Sequence, residues 1–182
     1  MQILEAVVHI KGVVNPFLLE KVIKFIDHKA TRKLSVISGD SLKDYRSVKG
    51  YHLNTKTPSN MFYWNIIKKE IQRLYVYYKI KFPLIKSTTV NQMDLLKYGR
   101  GGEYKVHTDH HALTPRTLTA ILNLNNSYEG GELAFGDQKE NEIAQYKLGK
   151  GDILFFPSCF LYPHFIKPIT KGNRYSIVTW LQ

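Results

Sequence analysis

A histidine and an aspartate two residues apart could act as a pair of metal ligands. His107 and Asp109 end the segment Tyr98-Gly-Arg-Gly-Gly-Glu-Tyr-Lys-Val-His-Thr-Asp. On an extended strand, residues i and i+2 project from the same face, so an imidazole nitrogen and a carboxylate oxygen could reach one ion. His164 is the best candidate for a third ligand, because it stands near the start of a later predicted strand. Two histidines and one carboxylate form the ligand set of non-haem Fe(II) sites, which leaves coordination positions open.

An arginine further along the chain strengthens this hypothesis. The His-x-Asp spacing alone is a weak signal in a chain with 7 histidines and 15 acidic residues, and a structural or surface pair is the alternative. Arg174, however, lies ten residues after His164, beyond the turn at Gly172 and at the start of the last predicted strand. A buried guanidinium at that position could hold a dicarboxylate through a bidentate, charge-assisted pair.

The N-terminal part of the chain is predicted to contain a strand and two helices. β-branched residues between Val7 and Val14 are typical of a strand. Asn15 and Pro16 form a helix start, with asparagine as the cap and proline at the first helical position. A second helix is predicted to open near Ser59 or Asn60 and to run to about Tyr78, because apolar residues repeat there at three and four residues.

From Thr88 onward the apolar residues alternate and glycine-rich turns are frequent, which predicts a β-structure. The expected strands are Val90–Tyr98, Leu118–Leu124, Glu132–Phe135, Asp152–Phe156, His164–Ile166 and Tyr175–Trp180. Many short strands without intervening helices favour a sandwich or a jelly roll. We therefore expect one domain over residues 1–182, in which residues 1–87 form a support of helices and β-structure and residues 88–182 form the β-core.

Composition excludes several classes of protein. The chain of 182 residues is 43% hydrophobic and 13% aromatic, which excludes disorder. No apolar run approaches the roughly 18 residues that span a bilayer, and the N-terminus lacks the features of a secretory signal. We therefore expect a cytoplasmic protein with no membrane contact. Cys159 is the only cysteine, which excludes an intrachain disulfide and a thiolate zinc cage.

Basic residues are concentrated in the first half of the chain. Residues 1–86 contain 16 basic and 6 acidic side chains, whereas residues 87–182 contain 10 and 9. A basic half of this kind could attract nucleic acid, ribosomes or acidic proteins, and a solvated surface that aids solubility is the alternative. No basic cluster is dense enough to define a nucleic-acid motif.

Five motifs in the second half carry a resemblance to a known family. The motifs are Tyr-x-x-Gly-x-x-Tyr-x-x-His-x-Asp from Tyr98 to Asp109, Tyr128-Glu-Gly-Gly-Glu-Leu133, Gly151-Asp-Ile-Leu-Phe-Phe-Pro157-Ser, the stretch from His164 to Pro168, and Gly172-Asn-Arg174-Tyr with Trp180. In order and spacing they resemble the prolyl 4-hydroxylase-like branch of the Fe(II)/2-oxoglutarate dioxygenases, especially its bacterial and viral hydroxylases. The resemblance covers about residues 88–182 and implies a cupin-like double-stranded β-helix (jelly roll) core.

The resemblance also implies roles for individual residues. The implied iron ligands are His107, Asp109 and His164. Arg174 would bind the distal carboxylate of 2-oxoglutarate, helped by the Tyr98 hydroxyl, while Tyr104 and Arg116 match positions that contact a peptide substrate. The implied cosubstrates are 2-oxoglutarate and O₂, with ascorbate as a reductant. Two positions depart from the family pattern, since Leu133 stands where threonine often follows Gly-Gly-Glu and Asn123 stands where some relatives carry tyrosine.

The expected function is hydroxylation of a protein or peptide, at proline, with release of succinate and CO₂. A 2-oxoglutarate-dependent nucleic-acid demethylase is one alternative, which the basic half would suit. It is disfavoured because the basic residue after the distal histidine is spaced as in prolyl hydroxylases, and because Arg174 is the only arginine after Arg116. A non-enzymatic jelly-roll module that retains the metal site is the other alternative. The expected partner is a protein or peptide, acidic or ribosome-associated; His110 and His111 are expected to be incidental.

Overall fold

The computed structural model describes residues 3–29, 32–33, 46–86, 89–110, 113 and 115–182. Leu34–Ile37, between the predicted helices, and His111 lie outside the described residues. The N-terminal elements, in chain order, are a 3₁₀-helix (Ile3–Ala6), β1 (Val8–Ile10), α1 (Pro16–His28), β2 (Arg32–Lys33), β3 (Lys49–His52) and α2 (Pro58–Lys81). The later elements are β4 (Val90–Tyr98), β5 (Tyr104–His107), β6 (Leu118–Asn123), β7 (Tyr128–Gly130), β8 (Leu133–Gly136), β9 (Glu142–Tyr146), β10 (Ile153–Pro157), β11 (His164–Ile166), β12 (Ile169–Gly172) and β13 (Arg174–Leu181).

The two helices begin at side-chain caps. The Asn15 side chain accepts a hydrogen bond of 2.9 Å from the backbone N–H of Phe17, and proline occupies the first turn, as predicted for α1. At α2 the capping side chain is Thr57, which accepts from the backbone N–H of Asn60. The helix therefore begins at Pro58, slightly before the predicted start, and it continues to Lys81 rather than ending at Tyr78.

Two antiparallel sheets face each other and a third, two-stranded ribbon adjoins them. The larger sheet has the order β1-β10-β6-β13-β4-β3-β2, the smaller one the order β5-β11-β8-β9, and the ribbon pairs β12 with β7. This arrangement confirms the predicted mainly-β class with N-terminal helices and a jelly-roll core. The strands β1, β2 and β3 extend the same sheet as the late strands, so the first part of the chain supplies sheet as well as helix. The division at residue 87 within one domain stays a prediction.

The sheets and helices enclose two apolar layers. The first layer joins the helices to the outer face of the larger sheet and includes Leu19, Ile26, Ile67, Ile71, Leu74, Met93, Leu95 and Ile177. The second lies between the sheets and includes Leu96, Ile121, Leu133, Phe135, Phe156, Ile166 and Val178. Alternation along β4 explains the division, because Met93 and Leu95 point to the helices while Leu96 points to the interior.

Six of the described strands were not predicted from the sequence: β2, β3, β5, β7, β9 and β12. β9 has the burial pattern of an edge strand, with three of its five residues exposed, so its side chains give little apolar alternation. β7 and β12 are short strands that end at glycines and pair with each other. Their formation depends on pairing partners distant in the chain, which periodicity within one segment does not reveal.

Asn123 joins three segments at the end of β6. The side chain is fully buried, and its Nδ2 donates to the backbone carbonyls of Asn125 at 2.6 Å and Leu148 at 2.9 Å. Its Oδ1 accepts a hydrogen bond of 3.2 Å from the Tyr128 hydroxyl. The departure from the family pattern at this position therefore has a structural reason, since the amide satisfies backbone groups in the turn before β10.

We expect Asn123→Ala to lower the free energy of unfolding by about 2–4 kcal/mol, because buried carbonyls and a tyrosine hydroxyl lose their partner. Chemical denaturation followed by circular dichroism measures this change. The matched control is Asn65→Ala at an exposed position of α2, where a change within about 0.5 kcal/mol is expected. A change of similar, small size in both variants would contradict the structural role of Asn123.

Candidate metal centre and its cavity

Three side chains of metal-ligand type meet in the interior. β5 and β11 pair so that His107 lies directly opposite His164, and Asp109 lies two residues beyond the end of β5. The Nε2 atom of His107 is 3.8 Å from Oδ1 of Asp109, and Nε2 of His164 is 3.6 Å from Oδ2 of the same carboxylate. The candidate ligand atoms of all three residues lie within 4.8 Å of one another. The structure thus brings together the three residues singled out in the sequence.

Backbone carbonyls orient both imidazole rings. His107 Nδ1 is 2.8 Å from the carbonyl oxygen of Lys105, and His164 Nδ1 is 3.0 Å from that of Tyr162. A carbonyl oxygen only accepts, so each Nδ1 must carry the hydrogen and donate it. The lone pair of each neutral ring is therefore on Nε2, the atom that faces Asp109. This is the arrangement of metal-bound histidines, whose second nitrogen usually donates to a fixed acceptor.

The protonation states of His107 and Asp109 suit metal binding. Burial lowers the pKa of His107, and the neighbouring His164 lowers it further, so the ring is neutral at neutral pH. Burial alone would raise the pKa of Asp109, but the two imidazoles and the Thr119 hydroxyl together hold this pKa below its usual value. Thr119 Oγ1 donates to Asp109 Oδ2 at 2.7 Å and also contacts Ser158 Oγ at 2.9 Å.

A divalent metal ion fits this donor set. Metal binding requires neutral imidazoles and an ionised carboxylate, and the lowered pKa values of His107 and Asp109 meet this requirement without any metal. His164 and Asp109 are 3% and 7% exposed, so the ligand atoms are shielded from bulk water. The combination of two histidines with one carboxylate is the one that non-haem Fe(II) proteins use.

A cavity of about 460 Å³ opens beside the ligand set and contains a buried arginine. Arg174 begins β13, as predicted, and pairs across the sheet with Tyr98. The arginine is 1% exposed, and its Nη1 donates to Ser176 Oγ at 3.1 Å. Its Nε and Nη2 have no hydrogen-bond partner among the described residues. A buried cation that has no anionic partner among the described residues is energetically costly, so an anionic ligand fits this end of the cavity.

Tyr98 and Tyr104 also line the cavity. The guanidinium of Arg174 lies 5.4 Å from the centre of the Tyr98 ring, which is itself fully buried. The Tyr104 ring stacks on the His107 imidazole with 3.6 Å between ring centres. Since His107 covers one face of that ring, the guanidinium of Arg46, 4.4 Å away, must cover the other. Tyr104 therefore buttresses a candidate ligand, while its predicted contact with a peptide stays a prediction.

Arg116 lies over Trp180, with 3.7 Å between the guanidinium carbon and the ring centre. Its Nη1 donates to the backbone carbonyl of Asp109 at 3.2 Å, and its Nη2 donates to Gln92 Oε1 at 3.0 Å. Burial lowers the pKa of Arg116, although nearby carboxylates oppose this effect. Arg116 thus lines the cavity and holds the chain beside a candidate metal ligand. Its predicted contact with a peptide substrate also stays a prediction.

Sequence reasoning missed several residues of the site. Arg46 precedes β3 and carries no motif; its backbone reaches the cavity through an isolated bridge to Tyr104. Thr119 and Gln92 lie on recognised strands, but only the structure shows that Thr119 contacts Asp109 and that Gln92 lines the cavity. His110, expected to be incidental, also lines the cavity. Of the described residues that depart from the family pattern, neither Leu133 nor Asn123 lines it.

The fold and the ligand set together define a jelly-roll protein of the non-haem metal-dependent class. Residues 93–182 match the model of the 2OG-Fe(II) oxygenase superfamily. A PKHD-type hydroxylase of Idiomarina loihiensis is 31% identical over 103 residues, which is 54% of this chain and 45% of that relative. Another, from Psychrobacter, is 30% identical over 139 residues, which is 72% of this chain and 52% of that relative. The chain spans about half the length of the curated relatives it matches.

Solved structures show the same fold. A Pseudomonas putida prolyl-4-hydroxylase superposes with a TM-score of 0.75 at 14% identity, over 97% of this chain and 92% of that chain. A viral collagen prolyl hydroxylase from Paramecium Bursaria Chlorella virus-1 gives a TM-score of 0.67 at 19% identity, over 97% and 95% of the two chains. The match over residues 93–182 places the chain in the 2OG-Fe(II) oxygenase superfamily, and the solved structures show that it shares its fold with prolyl hydroxylases.

Among the described residues, no helix has the length and apolar character needed to cross a membrane.

We expect His164→Ala to weaken the binding of Mn(II), used as a redox-stable probe, by at least about a hundredfold, because a ligand atom is removed from the set. Isothermal titration calorimetry on the metal-free protein measures this affinity. The matched control is His28→Ala, which removes an exposed histidine of α1 and leaves the affinity unchanged. Equal affinities of wild type and His164→Ala would contradict the assignment of His164 as a ligand.

Proposed function

We propose that this protein is an Fe(II)- and 2-oxoglutarate-dependent dioxygenase that hydroxylates a protein or peptide at proline and releases succinate and CO₂. One observation carries the proposal: the unpartnered guanidinium nitrogens of buried Arg174 lie in the same cavity as the ligand set of His107, Asp109 and His164. Such a cavity can take a small dicarboxylate with one end at a metal ion and the other at the arginine. Membership of the superfamily supports the same cosubstrate.

Arg174 supplies a fixed positive charge for the cosubstrate. The hydrogen bond from Nη1 to Ser176 orients the guanidinium, and Nε and Nη2 then remain for the two oxygens of a carboxylate. Arg174 lies on β13 of the larger sheet and is fully buried, so its side chain needs little reorganisation when a carboxylate binds. Tyr98, across the strand pair, closes the same end of the cavity.

The three candidate ligands would hold Fe(II) through His107 Nε2, His164 Nε2 and the Asp109 carboxylate. When bound, Fe(II) supplies the redox chemistry that couples O₂ reduction to decarboxylation of 2-oxoglutarate and hydroxylation of a C–H bond. The chain itself keeps the His107 imidazole neutral and the Asp109 carboxylate ionised, and it points Nε2 of both histidines toward Asp109. Apolar side chains limit the access of water to the cavity; they are Leu96, Ile121, Ile166 and Val178. We also propose ascorbate as the reductant of this enzyme.

A polypeptide substrate agrees with the cations that line the cavity. Arg46 and Arg116 only donate hydrogen bonds, and each has a buried Nε without a partner among the described residues. Peptide carbonyls and acidic side chains are acceptors for such groups. The excess of basic residues in residues 1–86 favours an acidic polypeptide through long-range attraction. A structural relative from Trichoplax adhaerens, 16% identical with a TM-score of 0.75 over 97% of this chain and 83% of that chain, is a prolyl hydroxylase in complex with a hypoxia inducible factor peptide fragment.

We expect Arg174→Gln to weaken 2-oxoglutarate binding by about tenfold to a hundredfold, because the carboxylate loses a charged hydrogen-bond partner in a buried place. Anaerobic calorimetric titration of the Mn(II)-loaded protein with 2-oxoglutarate measures the effect. The control is Arg100→Gln, which removes an exposed arginine and leaves the titration unchanged. An unchanged titration of Arg174→Gln would remove this residue from the cosubstrate site.

The substrate class can be tested with defined probes in the presence of Fe(II), 2-oxoglutarate and ascorbate. We expect an acidic proline-containing peptide to gain one oxygen atom, located at proline by tandem mass spectrometry, with succinate formed in equal amount. The same peptide with its acidic residues changed to amides should react more slowly, and the difference should shrink at high salt. Asp109→Ala is the inactive control.

A methylated single-stranded oligonucleotide serves as the competing probe. Its demethylation without reaction of the peptides would replace our proposal by the nucleic-acid alternative. Metal and 2-oxoglutarate binding with no succinate from any probe, and none in an uncoupled reaction, would instead favour a non-enzymatic metal-binding module.

A further inference from the structure

A row of four polar side chains runs from β3 past β4 to the cavity, and three of them, Asp94, Gln92 and Arg116, line it. His52 Nδ1 lies 2.8 Å from Asp94 Oδ1, and Gln92 Nε2 donates to Asp94 Oδ2 over 3.5 Å, the longest link in the row. Arg116 Nη2 donates to Gln92 Oε1 at 3.0 Å, and its Nη1 donates to the backbone carbonyl of Asp109 at 3.2 Å. The row thus runs from a half-exposed histidine to the backbone of a candidate metal ligand.

We propose that Gln92 is a positioning residue: its side-chain amide fixes the guanidinium of Arg116, which in turn fixes the backbone of the metal ligand Asp109. Gln92 itself touches neither the ligand atoms nor the anion-binding Arg174 in any contact that the structure shows. The inference rests on the metal site of the proposed function and adds to it a residue that no motif identifies.

The side chains on either side of Gln92, Arg116 and Asp94, explain why an amide occupies position 92. A guanidinium only donates hydrogen bonds, and a carboxylate only accepts them. Placed between Arg116 and Asp94, the side chain must accept on one side and donate on the other. An amide does both, and this also fixes which way its oxygen points. A carboxylate at this position would repel Asp94, and an apolar side chain would leave both neighbours without this partner.

Packing holds the guanidinium of Arg116 in the same place. Its flat face lies 3.7 Å from the ring centre of Trp180, and Trp180 pairs directly with Gln92 across β13 and β4. The Thr179 hydroxyl donates to the backbone carbonyl of Gln92 and so ties the two strands at this point. The Arg116 guanidinium is therefore surrounded on three sides, by the Trp180 indole, the Gln92 amide and the backbone carbonyl of Asp109. Loss of the amide would free it to turn toward Asp94 and away from the Asp109 carbonyl.

The experiment compares Mn(II) affinities of metal-free variants by calorimetry, so that it needs no substrate and no turnover. We expect Gln92→Glu to weaken Mn(II) binding by about tenfold, as for other residues that orient metal ligands. The double variant Gln92→Glu/Asp94→Asn should recover to within about twofold of wild type. In it the new glutamate can accept from both Arg116 and the new amide at position 94. The charge-matched control is Gln72→Glu on the exposed face of α2, with wild-type affinity expected.

The melting temperature of each metal-free variant separates positioning from stability. A purely structural role predicts a lower melting temperature with wild-type Mn(II) affinity, and this result would overturn the inference. So would a double variant that binds no better than Gln92→Glu. Should Gln92→Glu not fold, Gln92→Met keeps the length of the side chain without its amide and carries the same comparison with wild type. If wild type itself does not bind Mn(II), the metal site of the proposed function fails first.

Discussion

The pairing of β5 with β11 is the interaction on which the whole site depends. It sets His107 opposite His164, although the two residues are far apart in the sequence. Each histidine donates from Nδ1 to the carbonyl of the residue two positions before it, so the backbone that forms the strands also fixes both tautomers. A change of register by one residue would turn one ring to the opposite face of the sheet. The geometry of the candidate metal site thus depends on strand pairing before it depends on the side chains.

The two sheets contribute different parts of the chemistry. The smaller sheet supplies the histidines, whereas the larger sheet supplies Arg174 from β13 and the Thr119 hydroxyl that holds the Asp109 carboxylate from β6. The distance between the metal site and the anion site is therefore set by how the sheets face each other across their shared apolar layer. Helices α1 and α2 pack on the outer face of the larger sheet and stabilise it through a shared apolar layer.

The sequence predicted the parts of the site that lie in local patterns. His164 and Arg174 begin strands, and His107 ends a strand that Asp109 closely follows; at all four positions short motifs encode both the residue and its surroundings. Arg46 and Gln92 could not be found in this way, because pairing with distant strands brings them to the cavity. The same holds for β9 and β12, whose polar segments become strands through their partners. Local chemistry was predictable, and the long-range register was not.

The arginines of the cavity differ in how far the protein satisfies them. Arg116 has an acceptor for each terminal nitrogen and an indole under its flat face, so that among the described residues only its Nε lacks a partner. Arg174 is more deeply buried, yet Ser176 is its single hydrogen-bond partner among the described residues. Burial of such a cation without an anion lowers the stability of the folded chain. The carboxylate that Arg174 would bind in the proposed function supplies the missing negative charge. Arg174 is thus the arginine suited to bind the cosubstrate of the proposed function, whereas the terminal nitrogens of Arg116 hold the backbone beside the candidate metal ligands.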